Sequence, residues 1–299
     1  MKRAYCSKEC QMRDWKAKNG GQGHKHWCKL KCCEEGIDWE VKEIPFKGLG
    51  LVAKRLIPSL SRIIVDGLRS IDDPVVATLQ PSGGTIIEKY ELNSLGGGKD
   101  GVSHLCGRIA RANHDCNPNA AHYLDETFNV KILFSERDIQ PGEEICISYT
   151  GFSDCAFSIT AENARFYLRQ KWNIQCSNGC YCYKNEVIQM ALRAKCLDDK
   201  IYQVASTTSD TVKALQLIRE LLDIHETLPS SQVSKMRTFY DGFQIAIMKK
   251  STISAANSFI RAAYEIKSQI VSPQSKEAQE MLAFINNPSA HRNYLIREL

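Results

Sequence analysis

Between about Gly36 and Asn185 the chain carries short apolar runs broken by Pro45, Gly48, Gly50, Pro58, Pro81-Ser82-Gly83-Gly84, Gly96-Gly97-Gly98 and Pro141-Gly142. Short strands separated by turns produce that pattern. Phe128, Val130, Ile132 and Phe134 alternate with polar residues, Pro141-Gly142 turns the chain, and Ile145, Ile147 and Tyr149 alternate again. The alternation predicts a hairpin whose second strand ends on Tyr149. After Thr160, a candidate N-cap, the spacing of Ala164, Tyr167, Leu168 and Lys171-Trp172 turns helical. From Val187 onward no strand signal remains. Val212, Leu215, Ile218 and Leu222 form one apolar stripe, Val233, Met236, Phe239, Phe243 and Ile247 a second, and Ala256, Phe259, Ile260, Ala263 and Ile266 a third. The expected fold class is therefore α+β. A short Cys/His segment at 1–31 precedes a β-rich domain at 36–155 with an inserted subregion at about 79–105. A helix and cysteine loop follow at 156–185, then an all-helical domain at 186–299. Without a clean repeat, the helices read as a packed bundle rather than a solenoid.

Composition keeps this picture within the globular range: 299 residues, 43% hydrophobic and 24% charged, allow about two domains. No apolar run approaches the roughly eighteen residues of a membrane helix, and Met1-Lys2-Arg3-Ala4-Tyr5-Cys6 opens no signal core. The expectation is a soluble intracellular protein, nuclear and/or cytoplasmic, with no membrane partner. The net charge of +5 is uneven, since nine Lys or Arg lie between Met1 and Lys31 against only Glu9 and Asp14. Such an end suits phosphates or acidic protein tails, or is simply a solvated basic face.

Thirteen cysteines, an odd number, cannot form a complete disulfide framework. In a chain without a secretory signal, their clustering favours metal. Cys176-Ser177-Asn178-Gly179-Cys180-Tyr181-Cys182 places three thiols within seven residues. Three ligands of a tetrahedral zinc site are thereby available, with the fourth to come from elsewhere.

Four segments in order carry a resemblance: Lys47-Gly48-Leu49-Gly50-Leu51-Val52-Ala53, Arg108 through Asn113-His114-Asp115-Cys116-Asn117-Pro118-Asn119, Gly142-Glu143-Glu144 with Tyr149, and Trp172-Asn173-Ile174-Gln175-Cys176. Together they resemble the motif set of SET-domain protein-lysine methyltransferases, most of all the branch with a MYND zinc finger. The resemblance implies that Gly48, Leu49 and Gly50 bring backbone close to S-adenosylmethionine. It also implies that Asn113 and His114 bind this cofactor and that Asn93 contacts it. Trp172 and Ile174 would pack on it and border the lysine channel, with Tyr149 as the catalytic tyrosine. Cys116 would join Cys176, Cys180 and Cys182 on one zinc, although Cys-x-x-x-Cys-x-Cys departs from the family's Cys-x-Cys-x-x-Cys.

Cys6, Cys10, His24 and Cys28 look like the second half of a MYND finger. The first two cysteine pairs of such a finger are absent. Either the chain is a truncated form of a longer protein, or these four residues share one metal; a segment without metal is the other reading. The function expected is methyl transfer from S-adenosylmethionine to an exposed lysine of a protein substrate, histone or non-histone, with peptide partners for the N-terminal segment. Two other classes compete. One is a catalytically silent SET/MYND-like interaction scaffold, which would lack the tyrosine or the Asn-His pair. The other is a nucleic-acid-binding zinc protein, which would need intact fingers. His104, His122, His225 and His291 read as ordinary polar or core residues, Cys106, Cys146, Cys155 and Cys196 as unremarkable thiols, and Cys32-Cys33 stay unassigned.

Overall fold

The structure, a computed structural model, describes Met12 and residues 30–96, 102–126, 128–151, 159–207, 210–228 and 232–297. Cys6, Cys10, His24 and Cys28 lie outside the described residues. The chain divides into two compact units, one of residues 1–149 with 270–272, the other of 150–269 with 273–299. Among the described residues no helix is long and apolar enough to cross a membrane.

Among the described residues the first unit has nine strands. β1 (Trp39–Ile44) and β2 (Gly48–Ala53) form a hairpin in which Trp39 faces Ala53 and Ile44 faces Gly48. β3 (Arg62–Gly67) follows, then the short β4 (Ser94–Leu95), β5 (His104–Leu105) and β6 (Asn113–His114), and finally β7 (Ala120–Asp125), β8 (Val130–Ser135) and β9 (Glu144–Ile147). They make a four-stranded sheet in the order β1-β2-β9-β6, a three-stranded sheet β3-β8-β7, and the ribbon β4-β5. Trp39, Leu51, Ile63, Ile64, Ile109, Leu133, Ile145 and Ile147, each at most 1% exposed, form one continuous core. β6 and β9 run parallel, with Asn113 beside Cys146 and His114 beside Ile147. A parallel pair needs a crossover rather than a tight turn, and here β7 and β8 supply it.

The expected hairpin joining 128–134 to 145–149 does not form. Both strands exist, but β8 pairs with β3 and β7 while β9 pairs with β2 and β6, so neither has a free edge for the other. The connection is drawn aside at Ile139, which exchanges backbone hydrogen bonds of 3.0 and 2.9 Å with Ile57. β8 is buried on both faces, Lys131 and Ser135 included, so its alternation does not mark one wet face. Tyr149 stands two residues beyond the end of β9 rather than within it.

The region read as strands and turns also holds a helix, α1 (Ile86–Asn93). Thr85 accepts from the Glu88 backbone N–H while Glu88 reaches back to the Thr85 N–H, a reciprocal capping box that starts α1 after the loop. The β4 segment just after α1 is held from below by buried Lys131, whose Nζ donates to the carbonyls of Leu95 and of Gly96, the latter at 2.8 Å.

The second unit is helical: α2 (Ala161–Trp172), α3 (Asn185–Thr207), α4 (Thr211–Thr227), α5 (Gln232–Ala246), α6 (Ile253–Ile270) and α7 (Lys276–Asn286). α4 packs between α3 and α5. Its buried face comprises Ala214, Leu215, Leu217, Ile218, Leu221 and Ile224. Val212, expected in that stripe, is instead 57% exposed, because the face the neighbouring helices cover is rotated away from it. The stripe from Ala256 to Ile266 is buried throughout. Phe243 is fully buried and stacks on Phe284, with the His291 ring set edgewise against both at 5.1 and 4.9 Å.

His225 on α4 is 3% exposed and its Nε2 lies 3.2 Å from Thr238 Oγ1. Burial, reinforced by the charges of Lys235 and Arg237, lowers its pKa to about 4. An unfolded histidine titrates near 6.5, so below that value the unfolded chain binds the extra proton first. The contribution of neutral His225 is complete above pH 6.5 and is lost as pH falls toward 4. His225→Gln should therefore lose less stability between pH 7 and pH 4.5 than the parent, by up to about 2 kcal/mol, in urea titrations followed by helical circular dichroism.

Candidate functional site

In the first unit a set of polar residues meets where β2, β6 and β9 come together. The turn that opens β2 begins at Gly48, whose φ of +77° favours glycine. Gly50 is required for a different reason. A Cβ there would lie 2.6 Å from Ile44 Cγ1, 2.8 Å from Asn113 Nδ2 and 2.9 Å from Glu144 Oε1. The hairpin therefore approaches the crossing of β6 and β9 more closely than any side chain permits.

Glu144 is the hub of this contact. Its Oε1 accepts from Asn113 Nδ2 at 2.8 Å, and its Oε2 accepts from Lys47 Nζ at 2.8 Å. The same Asn113 amide reaches the Leu49 carbonyl at 3.4 Å. Asn119, 3% exposed, braces β9 from the other side. It donates to the Glu144 carbonyl at 2.8 Å and to Glu143 Oε1 at 2.9 Å, and accepts from the Cys146 N–H at 2.9 Å. Sequence reading left Asn119 without a role. The signal was its place as the last asparagine of Asn113-His114-Asp115-Cys116-Asn117-Pro118-Asn119, where an amide can donate and accept at once.

His114 and Tyr149 are brought together by the parallel seam. Asp115 N–H donates to the Ile147 carbonyl at 3.0 Å, and the Tyr149 N–H donates to His114 Nδ1 at 3.2 Å. Burial lowers the His114 pKa to about 4, so the ring is neutral near pH 7. With Nδ1 accepting, the ring proton belongs on Nε2, which lies 3.1 Å from Cys116 Sγ. The Tyr149 ring centroid is 5.4 Å from that of His114, and its hydroxyl donates to the Ala112 carbonyl at 3.0 Å. Burial pushes the phenol up to about 12. Tyr149 is thus a fixed neutral hydroxyl, suited to orienting a partner and unsuited to acting as a phenolate base.

Asn93 closes α1 and donates to the Gln80 and Lys89 carbonyls, both at 2.7 Å. Gln80 in turn approaches the opening turn, its Nε2 being 3.8 Å from the place a Gly48 Cβ would occupy. Asn93 thus bonds the backbone of Gln80, a residue that no sequence pattern singled out and whose side chain lies near Gly48. Trp172 and Ile174 belong to the second unit. Trp172 ends α2 beneath the Lys171 ammonium, and Asn173, in the left-handed region at φ 53°, caps the helix so that Ile174 N–H returns to the Leu168 carbonyl at 3.0 Å.

The second unit also gathers Cys176, Cys180 and Cys182, whose sulfurs lie within 4.8 Å of one another. Cys180 and Cys182 are 3.6 Å apart at sulfur. Two thiolates on one tetrahedral zinc, each at about 2.3 Å, stand ~3.8 Å apart, so the spacing fits that ion. A turn from Ser177 to Cys180 and the bond from Arg165 Nη1 to the Cys182 carbonyl at 2.7 Å shape the loop. Four other thiols, Cys106 and Cys146 buried and Cys32 and Cys33 half-buried, differ. Burial pushes Cys33 and Cys106 up to about 12 and raises Cys32 and Cys146, which keeps them protonated and inert.

Residues 48–150 match the family model of the SET domain. No curated protein matches the chain. Among solved structures, a Plasmodium falciparum protein assigned as a histone methyltransferase is 20% identical over 38% of this chain and 92% of its own, with a TM-score of 0.28. The Neurospora SET domain protein DIM-5, a histone lysine methyltransferase, is 15% identical over 37% of this chain and 51% of its own, with a TM-score of 0.26.

Gly50→Ala should force the Asn113–Glu144 bond apart and cost about 1–3 kcal/mol in urea unfolding. Gly83→Ala, which meets nothing within 4 Å, should stay within about 0.5 kcal/mol of the parent.

Proposed function

We propose that the SET domain at residues 48–150 is the catalytic centre of a protein-lysine methyltransferase, using S-adenosylmethionine and acting on an exposed lysine of a protein substrate, histone or non-histone. The observation that carries this reading is the convergence of Gly48–Gly50, Asn113, His114 and Tyr149 at the crossing of β6 and β9, inside the matched span.

The residues fit the cofactor in kind. Gly48 and Gly50 keep side chains off the opening turn, Asn113 and His114 lie beside it on β6, and Asn93 bonds the Gln80 backbone near Gly48. When bound, S-adenosylmethionine supplies a methyl group on a sulfonium, open to in-line displacement by an amine. Tyr149 has the task of alignment. Its hydroxyl is fixed by the Ala112 carbonyl and remains protonated, so it orients the incoming amine without competing for the methyl group. The lysine must arrive neutral, and desolvation beside half-buried apolar groups lowers an amine's pKa.

The cysteine loop completes the reading. Cys176, Cys180 and Cys182 would hold a structural zinc, and the motif resemblance nominates Cys116 as the fourth ligand that a closed tetrahedral site requires. Cys6, Cys10, His24 and Cys28, similar to half of a MYND finger, would be a separate metal or peptide-binding segment.

Purified chain incubated with labelled cofactor and a cell extract should label protein, and Tyr149→Phe should lower transfer roughly hundredfold or more. Cofactor binding measured by calorimetry should survive that change. Transfer that continues at the parent rate removes Tyr149 from the mechanism, and absence of cofactor binding by the parent chain removes the reading. Metal analysis provides an independent check. Cys176→Ser should lose the zinc of the loop while Cys10→Ser retains it, and zinc retained in full by Cys176→Ser would place the metal elsewhere.

A further inference from the structure

The His114 ring stands between two residues with different work. Its Nδ1 accepts from the Tyr149 N–H at 3.2 Å, and its Nε2 lies 3.1 Å from Cys116 Sγ. His114 is 9% exposed, so little water reaches either nitrogen. A ring nitrogen that accepts an N–H carries no proton, and a neutral imidazole has one proton to place. That proton belongs on Nε2, which makes the ring the donor and the Cys116 sulfur the acceptor.

The contact joins the ends of two strands. Cys116 lies two residues beyond β6 and Tyr149 two residues beyond β9. Along the seam itself backbone meets backbone, as where the Asp115 N–H donates to the Ile147 carbonyl at 3.0 Å. Beyond it the Tyr149 N–H bonds the imidazole in place of a strand carbonyl, so the Tyr149 backbone answers to how that ring is turned and protonated. The other end of Tyr149 is fixed separately, by its hydroxyl on the Ala112 carbonyl at 3.0 Å.

We propose that His114 is a positioning residue that couples a metal ion on the Cys116 sulfur to the backbone of Tyr149. The coupling rests on Cys116 being a zinc ligand, as nominated for the cysteine loop. When the Zn–S bond forms, the thiol proton leaves to solvent and the sulfur becomes a thiolate, which can accept a hydrogen bond but has none to give. A charged acceptor holds the Nε2–H more firmly than a thiol does, and a partner outside the coordination shell orients the ligand in return. With the proton kept on Nε2, Nδ1 stays bare, as the Tyr149 N–H requires. Without metal the S–H can donate to Nε2 while the ring proton sits on Nδ1. That tautomer cannot accept from Tyr149, and the backbone bond is lost.

The test is NMR on the full chain with nitrogen-15 in its backbone and histidines, with zinc counted in each sample by atomic absorption. In the zinc-loaded parent the His114 ring should be protonated on Nε2 and the Tyr149 N–H slow to exchange. Chelating the zinc should move the ring proton toward Nδ1 and speed exchange at Tyr149 roughly tenfold. The Cys146 N–H, held by Asn119 at 2.9 Å on the same segment, should keep its rate. His114→Asn offers an amide oxygen in place of Nδ1 but no donor in place of Nε2. It should hold zinc roughly 10–100-fold more weakly than the parent, and chelation should leave its Tyr149 exchange unchanged; a parent-like Cys146 rate shows that it is folded. The proposal is overturned if the zinc-loaded parent carries the proton on Nδ1, if chelation leaves the parent's Tyr149 rate alone or raises the Cys146 rate equally, or if folded His114→Asn responds to chelation as the parent does. A parent without zinc, or Cys116→Ser with the full zinc count, overturns the ligand assignment and the coupling with it. Those outcomes are read from the metal count, apart from the exchange rates.

Discussion

Glu144 is the residue on which the first unit's geometry turns. One carboxylate joins Lys47 from the hairpin turn and Asn113 from β6, and its own backbone is gripped by Asn119. The ion pair by itself is modest, since Lys47 is 41% exposed and such pairs contribute at most about 1 kcal/mol. The asparagine bonds matter more because they are shielded and directional. Removing the carboxylate would leave the Asn113 amide without its shortest partner just where Gly50 forbids any other side chain from filling in. Position rather than strength is what this contact supplies.

From that hub the seam between β6 and β9 acquires its chemistry. Parallel pairing sets His114 beside Ile147, so the chain leaving β9 folds back with the Tyr149 amide on His114 Nδ1. One hydrogen bond thus chooses the imidazole tautomer, and burial holds both rings in their neutral forms. Neutral groups held by backbone present fixed dipoles without inviting counter-ions.

Local signals were legible in the sequence where they act over a few residues. The Thr160 cap, the helical character of the C-terminal third and the tight cysteine loop all rest on contacts between near neighbours. The Thr85–Glu88 capping box is equally local, but it sits in a stretch dominated by proline and glycine whose signals read as turn. What could not be read was partnership at a distance. Alternation at 128–134 and 145–149 is real, but it does not say which edge each strand will meet, and Ile57 claimed the connection between them. The roles of Gln80 and Asn119 were hidden for the same reason. An amide's importance depends on what the fold sets against it. Lys131 is the extreme case, a charged residue in a wholly buried strand whose partners are two carbonyls of the inserted segment.

The pairing of β2 with β9 also has a cost in time. Lys47 and Glu144 are 97 positions apart, and contacts so distant in the chain are slow to close. At about 5–20 residues per second of synthesis, β2 leaves the ribosome on the order of 5–20 s before its partner exists. During that interval the hairpin exposes one unpaired edge, and its apolar residues Leu51 and Val52 have no sheet to enter. Until β9 arrives the nascent hairpin keeps one strand edge uncovered, the kind of edge through which partly made chains associate.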